Sequence, residues 1–97
     1  MKRSWTAAWE KVNEEARCRK CGATGVRLDP AHIVPRGLGG GMEAVEIVPL
    51  CRPCHDRYDG RGEPLDLLPV LTRDEQVQAV KTLGLSKAYR RLTGDRS

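Results

Sequence analysis

Apolar residues recur every three or four positions near the start of the chain, which predicts an amphipathic helix over about 5–17. Ser4 precedes this stripe and is a suitable N-cap. We expect the apolar face to pack in the core and the charged face to meet solvent. The apolar positions are Trp5, Trp9, Val12 and Ala16.

Two more helices are predicted in a C-terminal extension over about 61–97. Thr72 and Glu75 have the spacing of a capping box, which opens a helix that ends at Gly84, and Ser86 can cap the next helix. Arg90 and Arg91 are expected to face solvent. The residues expected to be apolar contacts are Val77, Val80 and Leu83 in the first helix and Ala88, Tyr89 and Leu92 in the second.

Between these helices the pattern changes to short extended segments. Residues 26–34 predict a strand that Pro30 makes irregular or an edge, and residues 45–48 predict its hairpin partner after a glycine-rich connection over 35–42. A short helix is predicted from Pro53 to Gly60. The order of these elements predicts a small α+β fold in one domain, 1–97, with its central part at about 18–60.

Composition adds a constraint on stability and on partners. Phe is absent and aromatic residues make up 4 % of the 97 residues, so the core is thin and an additional cross-link is expected. The formal net charge of +4 fits a polyanionic partner. No signal peptide and no membrane-length apolar run are apparent, so we expect a cytoplasmic, reduced protein with no membrane partner.

The strongest local signal is a pair of Cys-x2-Cys motifs. Cys18 and Cys21 form the first Cys pair, and Cys51 and Cys54 form the second. Two such pairs complete the tetrahedral thiolate set of a structural Zn2+. That ion would close a loop containing the predicted hairpin.

Other functions of these cysteines fit less of the sequence. Residues 51–55 also match the c-type haem attachment motif, but haem attachment leaves the first Cys pair unexplained. A redox Cys-x2-Cys would not need a second pair and would sit in a βαβ pattern, which is missing here. A zinc deaminase needs His-x-Glu, whereas His32 is followed by Ile33 and Val34.

The chain has only two histidines, and both lie in this central part. His32 is in the first extended segment, and His55 directly follows the second Cys pair. The helix that starts there should carry His55 back over the hairpin towards His32. Asp59 stands four residues after His55, so one helix face can offer a nitrogen and an oxygen ligand to a divalent ion.

In these motifs the sequence resembles the HNH endonucleases, the ββα-metal nucleases, and in particular small phage and bacterial members with a four-cysteine zinc site. The resemblance covers about 18–59: Cys-x2-Cys-Gly, Ala-His-Ile-Val-Pro-Arg, a glycine-rich loop, Val-Pro-Leu-Cys-x2-Cys-His and Tyr-Asp occur in the family's order. It implies a ββα-metal core held together by structural zinc, with helices on both sides.

The resemblance also implies roles for individual residues. His32 matches the general base and His55 matches a metal ligand. Glu46 stands where the family has its middle Asn, and Ala31 stands where many members have a ligand. Asp29 and Asp59 are the carboxylates that could complete the metal site. Independently of the resemblance, Arg36 and Arg57 are candidates for phosphate contacts.

These assignments predict a DNA endonuclease that hydrolyses phosphodiester bonds with one catalytic divalent ion, Mg2+, Mn2+, Ni2+ or Zn2+. By resemblance, the ββα element lies in the minor groove and contacts phosphates, so sequence specificity is expected to be weak. A terminase or restriction protein is a further partner consistent with the family. The alternative, favoured by Ala31 and Glu46, is a zinc-stabilised DNA-binding module without catalysis.

Overall fold

A computed structural model describes residues 6–60 and 65–94. Within these ranges lie four α-helices and one two-stranded antiparallel sheet, which confirms the small α+β class. Short 3-10 turns occupy Arg36–Leu38, Ala44–Glu46 and Leu68–Val70. The regular elements are α1 (Thr6–Glu15), β1 (Leu28–His32), β2 (Ile47–Cys51), α2 (Arg52–Tyr58), α3 (Arg73–Leu83) and α4 (Leu85–Thr93).

The sheet is built around two prolines that face each other. Pro30 of β1 is paired with Pro49 of β2, and neither has an N–H to donate. The pair therefore occupies a non-hydrogen-bonded site of the antiparallel ladder. The carbonyl of Pro49 points outward and accepts the backbone N–H of Arg19 at 2.8 Å. This bond attaches the first Cys pair to the outer edge of β2.

Both strands differ in their limits from the predicted segments. β1 runs through Pro30 and ends at His32, and β2 begins at Ile47 because Ala44–Glu46 forms a 3-10 turn. All five residues of β2 are buried, since α1 and α2 both pack against this strand. The alternation typical of a strand with one solvent-facing side is therefore absent from β2.

The first helix is confirmed, but two residues predicted on its buried face, Trp9 and Ala16, are exposed. α1 ends at Glu15, where Ala16 takes a φ of 54°, and Ala8 and Val12 pack against Ile47. Trp9, predicted to pack in the core, is exposed. The neighbouring strand buries small side chains from α1, so the indole stays at the surface. Trp5 and the predicted cap Ser4 lie outside the described residues.

The C-terminal helices also bury residues other than those predicted. The capping box of Thr72 and Glu75 and the end of α3 at Gly84 are confirmed. Val77 is exposed, however, and α3 buries Glu75 and Ala79. The two helices are joined through Gly84 alone, and this short connection fixes the rotation of each helix.

Because α4 starts at Leu85, Ser86 lies inside the helix and is not its cap. Ala88 and Leu92 are buried as predicted, whereas Tyr89 is exposed. Arg91 does not extend fully into solvent: its guanidinium lies 4.2 Å from the ring centre of Tyr58. Among the described residues, no helix has the length and apolar character that crossing a membrane requires.

A buried carboxylate links the N-terminal part of the chain to α3. The side chain of Glu75 is only 2 % exposed and forms ion pairs with Lys11 and with Arg19, the latter at 2.7 Å. Lys11 also donates to the carbonyl of Ile47, and Arg19 to that of Val70. Burial opposes ionisation of Glu75, but these donors outweigh it and lower its pKa below 4.5.

Replacing Glu75 by Gln should therefore destabilise the fold. Breaking a buried pair leaves charges uncompensated, so the free energy of unfolding at pH 7 should fall by about 3 kcal/mol. A carboxyl whose pKa is lowered by folding stabilises above its unfolded pKa of about 4.3, and that contribution disappears as pH falls through the folded pKa. The difference between wild type and Glu75→Gln should thus shrink below about pH 4. Urea unfolding across pH measures both effects.

The control is Asp74→Asn, which changes an exposed neighbour in the same helical turn. It should alter stability by less than about 0.5 kcal/mol. Equal stability of wild type and Glu75→Gln at pH 7 would contradict a structural role for the buried pairs.

Candidate metal centre and active site

The first Cys pair lies in a tight turn that follows α1. The N–H of Gly22 donates to the carbonyl of Cys18 at 2.9 Å, and Gly22 takes a φ of 77°. The N–H of Cys18 donates to Ala23, which closes the turn. This backbone path brings the buried Cys18 and the exposed Cys21 to the same side of the loop.

The second Cys pair lies where β2 joins α2. Cys51 is the last residue of β2 and the N-cap of α2, and Cys54 is in the first turn of that helix. Pro53, at the second position of the helix, needs no N–H there. A strand that passes directly into a helix thus holds two thiols near each other.

All four sulfurs lie within 4.8 Å of one another. A tetrahedral Zn2+ with Zn–S bonds of about 2.3 Å separates its sulfurs by about 3.8 Å, and Cys21 Sγ lies 3.6 Å from Cys51 Sγ. None of the four is in a disulfide. The cluster therefore fits a structural metal such as zinc, as the sequence predicts.

The surroundings of the four thiols are unequal. For Cys18, burial opposes ionisation, but backbone N–H groups that include that of Cys21 outweigh it and lower its pKa to about 7. For Cys54, burial and the neighbouring thiols raise the pKa. A thiolate is thus favoured at Cys18, whereas a thiolate at Cys54 needs a bound cation to compensate its charge.

Substitution at Cys21 separates metal binding from packing. If the four thiols hold zinc, Cys21→Ser and Cys54→Ser should both lose the metal and unfold most of the domain, because structural zinc contributes about 10 kcal/mol of folding free energy. Elemental analysis and circular dichroism measure the two effects. If the cysteines serve only packing, the exposed Cys21 should tolerate serine while the buried Cys54 does not. That outcome, or a folded metal-free wild type, would contradict the zinc site.

His55 stands between two carboxylates, one on each ring nitrogen. Nδ1 lies 3.2 Å from Asp29 Oδ2, and Nε2 lies 3.3 Å from Asp59 Oδ2. We call these three residues the His55 cluster. The contact with Asp59 follows from the i,i+4 spacing that the sequence shows. Two ligands bound to one ion at about 2.1 Å lie about 3.0 Å apart when they meet at a right angle, so Nε2 and Asp59 are spaced as such a pair.

The two carboxylates differ in what surrounds them. The Asp29 side chain is 10 % exposed and forms ion pairs with Arg27 at 3.4 Å and with Arg52 at 3.6 Å besides its contact with His55. The Asp59 side chain is 46 % exposed. Asp29 is thus suited to orient the imidazole through Nδ1, as carboxylates behind metal-bound histidines do. Asp59 is the more accessible of the two carboxylates.

His32 is the last residue of β1, and the charges of His55 and Asp59 act on its imidazole. Burial lowers its pKa first, and Arg36 lowers it further. His55 acts in the same direction, whereas the carboxylates of Glu46 and Asp59 partly offset the shift. The imidazole is therefore mostly neutral at pH 7, the state in which it can accept a proton.

Glu46 supports the glycine-rich loop. Its carboxylate accepts the backbone N–H of Gly41 at 2.8 Å and that of Glu43 at 3.3 Å. The loop returns so closely that a Cβ on Gly40 would lie 1.7 Å from the carbonyl oxygen of Val34. A direct part of Glu46 in catalysis, as the sequence motif predicts, stays a prediction. Its observed contacts are those of a residue that holds the loop.

Removing the Glu46 carboxylate should loosen this loop. In Glu46→Ala the amides of Gly41 and Glu43 lose their acceptor, so their hydrogen exchange should accelerate by about tenfold or more, corresponding to about 1.4 kcal/mol of lost protection. Gly41 and Glu43 bind different oxygens of this carboxylate, and Glu46→Gln keeps only one acceptor oxygen, so one of the two amides should retain its protection while the other loses it. Glu14→Ala, on the exposed face of α1, is the control. Unchanged exchange at Gly41 in Glu46→Ala would contradict the role.

The predicted phosphate contacts are Arg36 and Arg57. Arg36 is exposed at the start of a 3-10 turn, and Arg57 is half-buried in α2. Sequence reasoning missed Arg52, whose Nε lies 3.3 Å from Asp56. The ion pair of Arg52 with Asp56 could have been predicted from their i,i+4 spacing, whereas its ion pair with Asp29 depends on the tertiary fold.

Comparison of the chain with protein-family models, with curated proteins and with solved structures gives no match.

Proposed function

We propose that this protein is a metal-dependent DNA endonuclease of the HNH type. The observation that carries the proposal is the position of His55, which the second Cys pair fixes at the start of α2 and which contacts Asp29 and Asp59 through separate nitrogens. β1, β2 and α2 follow one another in the ββα order that the resemblance implies.

The general base in this proposal is His32. Its pKa is lowered, first by burial, so that the neutral imidazole predominates at pH 7 and can take a proton from water. The resulting hydroxide attacks phosphorus, the bond from phosphorus to the 3′-oxygen breaks, and that oxygen leaves with the electron pair and takes up a proton from solvent. The charges of His55 and Asp59 both act on the pKa of His32, which supports placing the base and the proposed ligands around one phosphate.

His55 Nε2 and Asp59 would hold the catalytic divalent ion, Mg2+, Mn2+, Ni2+ or Zn2+. When bound, such an ion supplies positive charge beside the phosphoryl and leaving oxygens. Asp29 keeps the His55 ring in the orientation that this requires. The four cysteines carry no chemistry in this proposal: a Zn2+ with four thiolates has no open position and stabilises the fold.

The substrate side of the proposal relies on charge. The net charge of +4 favours a polyanion, and Arg36 and Arg57 are proposed to contact phosphates. Phosphate contacts position a nuclease without reading bases, so we expect weak sequence preference. A terminase or restriction protein would then supply the choice of site, and the cytoplasm is the expected compartment.

One observation favours the alternative of a non-catalytic zinc-stabilised DNA-binding module. Ala31, at the position where many HNH nucleases have a ligand, is fully buried in the core. A ligand from that position is therefore missing, and the proposed metal site depends on His55 and Asp59. The two hypotheses, endonuclease and binding module, differ in whether the protein cuts DNA.

Substitution of the two histidines tests the endonuclease. His32→Ala should slow cleavage of supercoiled plasmid by at least about 100-fold, the usual contribution of a general base, while leaving Mn2+ binding intact. His55→Ala should lose both cleavage and Mn2+ binding, because the nitrogen ligand is gone. Plasmid assays with Mg2+, Mn2+, Ni2+ and Zn2+ and calorimetry with Mn2+ measure these effects.

The control is Asn13→Ala on the exposed face of α1, and all variants should retain the same content of structural zinc. Equal cleavage by wild type and His32→Ala would exclude His32 as the base. A wild type that binds DNA but cuts with none of these metals would support the binding module instead.

A further inference from the structure

A cleft of about 530 Å³ lies where the end of α2 meets the C-terminal helices. Among the residues that line it are Leu38, Asp59, Leu83, Lys87, Arg90 and Arg91. Three of these are cations, all from α4, and the carboxylate among them is Asp59 of the His55 cluster. We call this feature the α4 cleft.

The cations of α4 differ in how they are held. Arg91 packs over the ring of Tyr58, whose hydroxyl donates to the carbonyl of Ile33. Its Nε is buried and has no hydrogen-bond acceptor within residues 6–60 and 65–94. A buried guanidinium donor without an acceptor is costly. Arg91 is also one of the residues that line the α4 cleft.

Lys87 and Arg90 are exposed and occupy the same wall. Three positive side chains on one short helix concentrate charge at a cleft, and such charge attracts phosphate groups. Arginine also offers several donors in one plane, which suits phosphate oxygens.

We propose that the α4 cleft binds the phosphodiester backbone of DNA and leads it to the His55 cluster. This inference rests on the proposed function for the identity of the polyanion. Asp59 belongs to both features: it lines the cleft and contacts His55 Nε2. The C-terminal extension therefore supplies the substrate path, and the central ββα part supplies the reactive groups.

The test removes two cleft cations that carry no packing. Lys87→Ala/Arg90→Ala should weaken binding of a short DNA duplex by about tenfold for each lost charged contact. The slope of log K against log salt should fall by about one per lost phosphate contact. Fluorescence anisotropy at several salt concentrations, without added divalent metal, measures both quantities.

The matched control is Arg17→Ala/Arg73→Ala. It removes the same two positive charges from exposed positions that do not line the cleft. Its affinity should fall by less than about threefold, because only the long-range field changes. Equal losses in the two double variants would overturn the proposal in favour of a general charge effect.

A further arm separates DNA from a small anion. Inorganic phosphate, supplied at the phosphate concentration of the duplex and at constant ionic strength, should not displace the duplex. Displacement under these conditions would overturn the proposal and assign the cleft to a small phosphate ligand. If the Lys87→Ala/Arg90→Ala variant binds DNA less tightly but wild type cuts no DNA, the α4 cleft is supported as a DNA-binding site and the endonuclease proposal is wrong. If wild type cuts DNA and this variant binds DNA as tightly as wild type, the endonuclease proposal is supported and the proposed role of the α4 cleft is wrong.

Discussion

The fold of the central part of the molecule depends on the cluster that the four cysteine thiols form. Residues 22–50 form the loop between the two Cys pairs, and this loop contains β1, the glycine-rich connection and most of β2. The chain has no Phe, and the sheet found in the described part of the chain has two strands. Two strands with so thin a core are marginal by themselves. A shared metal would compensate for this and would at the same time fix the start of α2, and hence the direction in which His55 points.

A second connection joins this cluster to the rest of the chain through one residue. The backbone N–H of Arg19, inside the first Cys pair, binds the carbonyl of Pro49, while its side chain binds Glu75 of α3. Displacing Arg19 would disturb the thiol cluster and the buried carboxylate together. The C-terminal helices are therefore coupled to the central part by buried charge as well as by apolar packing.

Sequence patterns succeeded where the signal is local and failed where packing between distant elements decides. The capping box of Thr72, the two Cys pairs and the i,i+4 contact of His55 with Asp59 each involve residues a few positions apart. The sequence predicted Glu75 as a capping residue but not its buried ion pair with Lys11, because these two residues are 64 positions apart. Tyr89 fits an apolar stripe, yet the rotation of α4 was set by the one-residue connection at Gly84 and left this side chain in solvent.

The unequal exposure of the two carboxylates beside His55 determines how the proposed site can work. Moving the Asp29 carboxylate away would break its ion pairs with Arg27 and Arg52 and its contact with His55 Nδ1. Asp59 can move at little cost because water already reaches it. An entering ion would therefore bind both His55 Nε2 and the Asp59 carboxylate. Asp29 would stay in contact with Nδ1 and keep the imidazole ring from rotating. In the proposed nuclease, the ligand that Ala31 cannot supply would therefore come from Asp59 at the end of α2, the residue that also lines the α4 cleft.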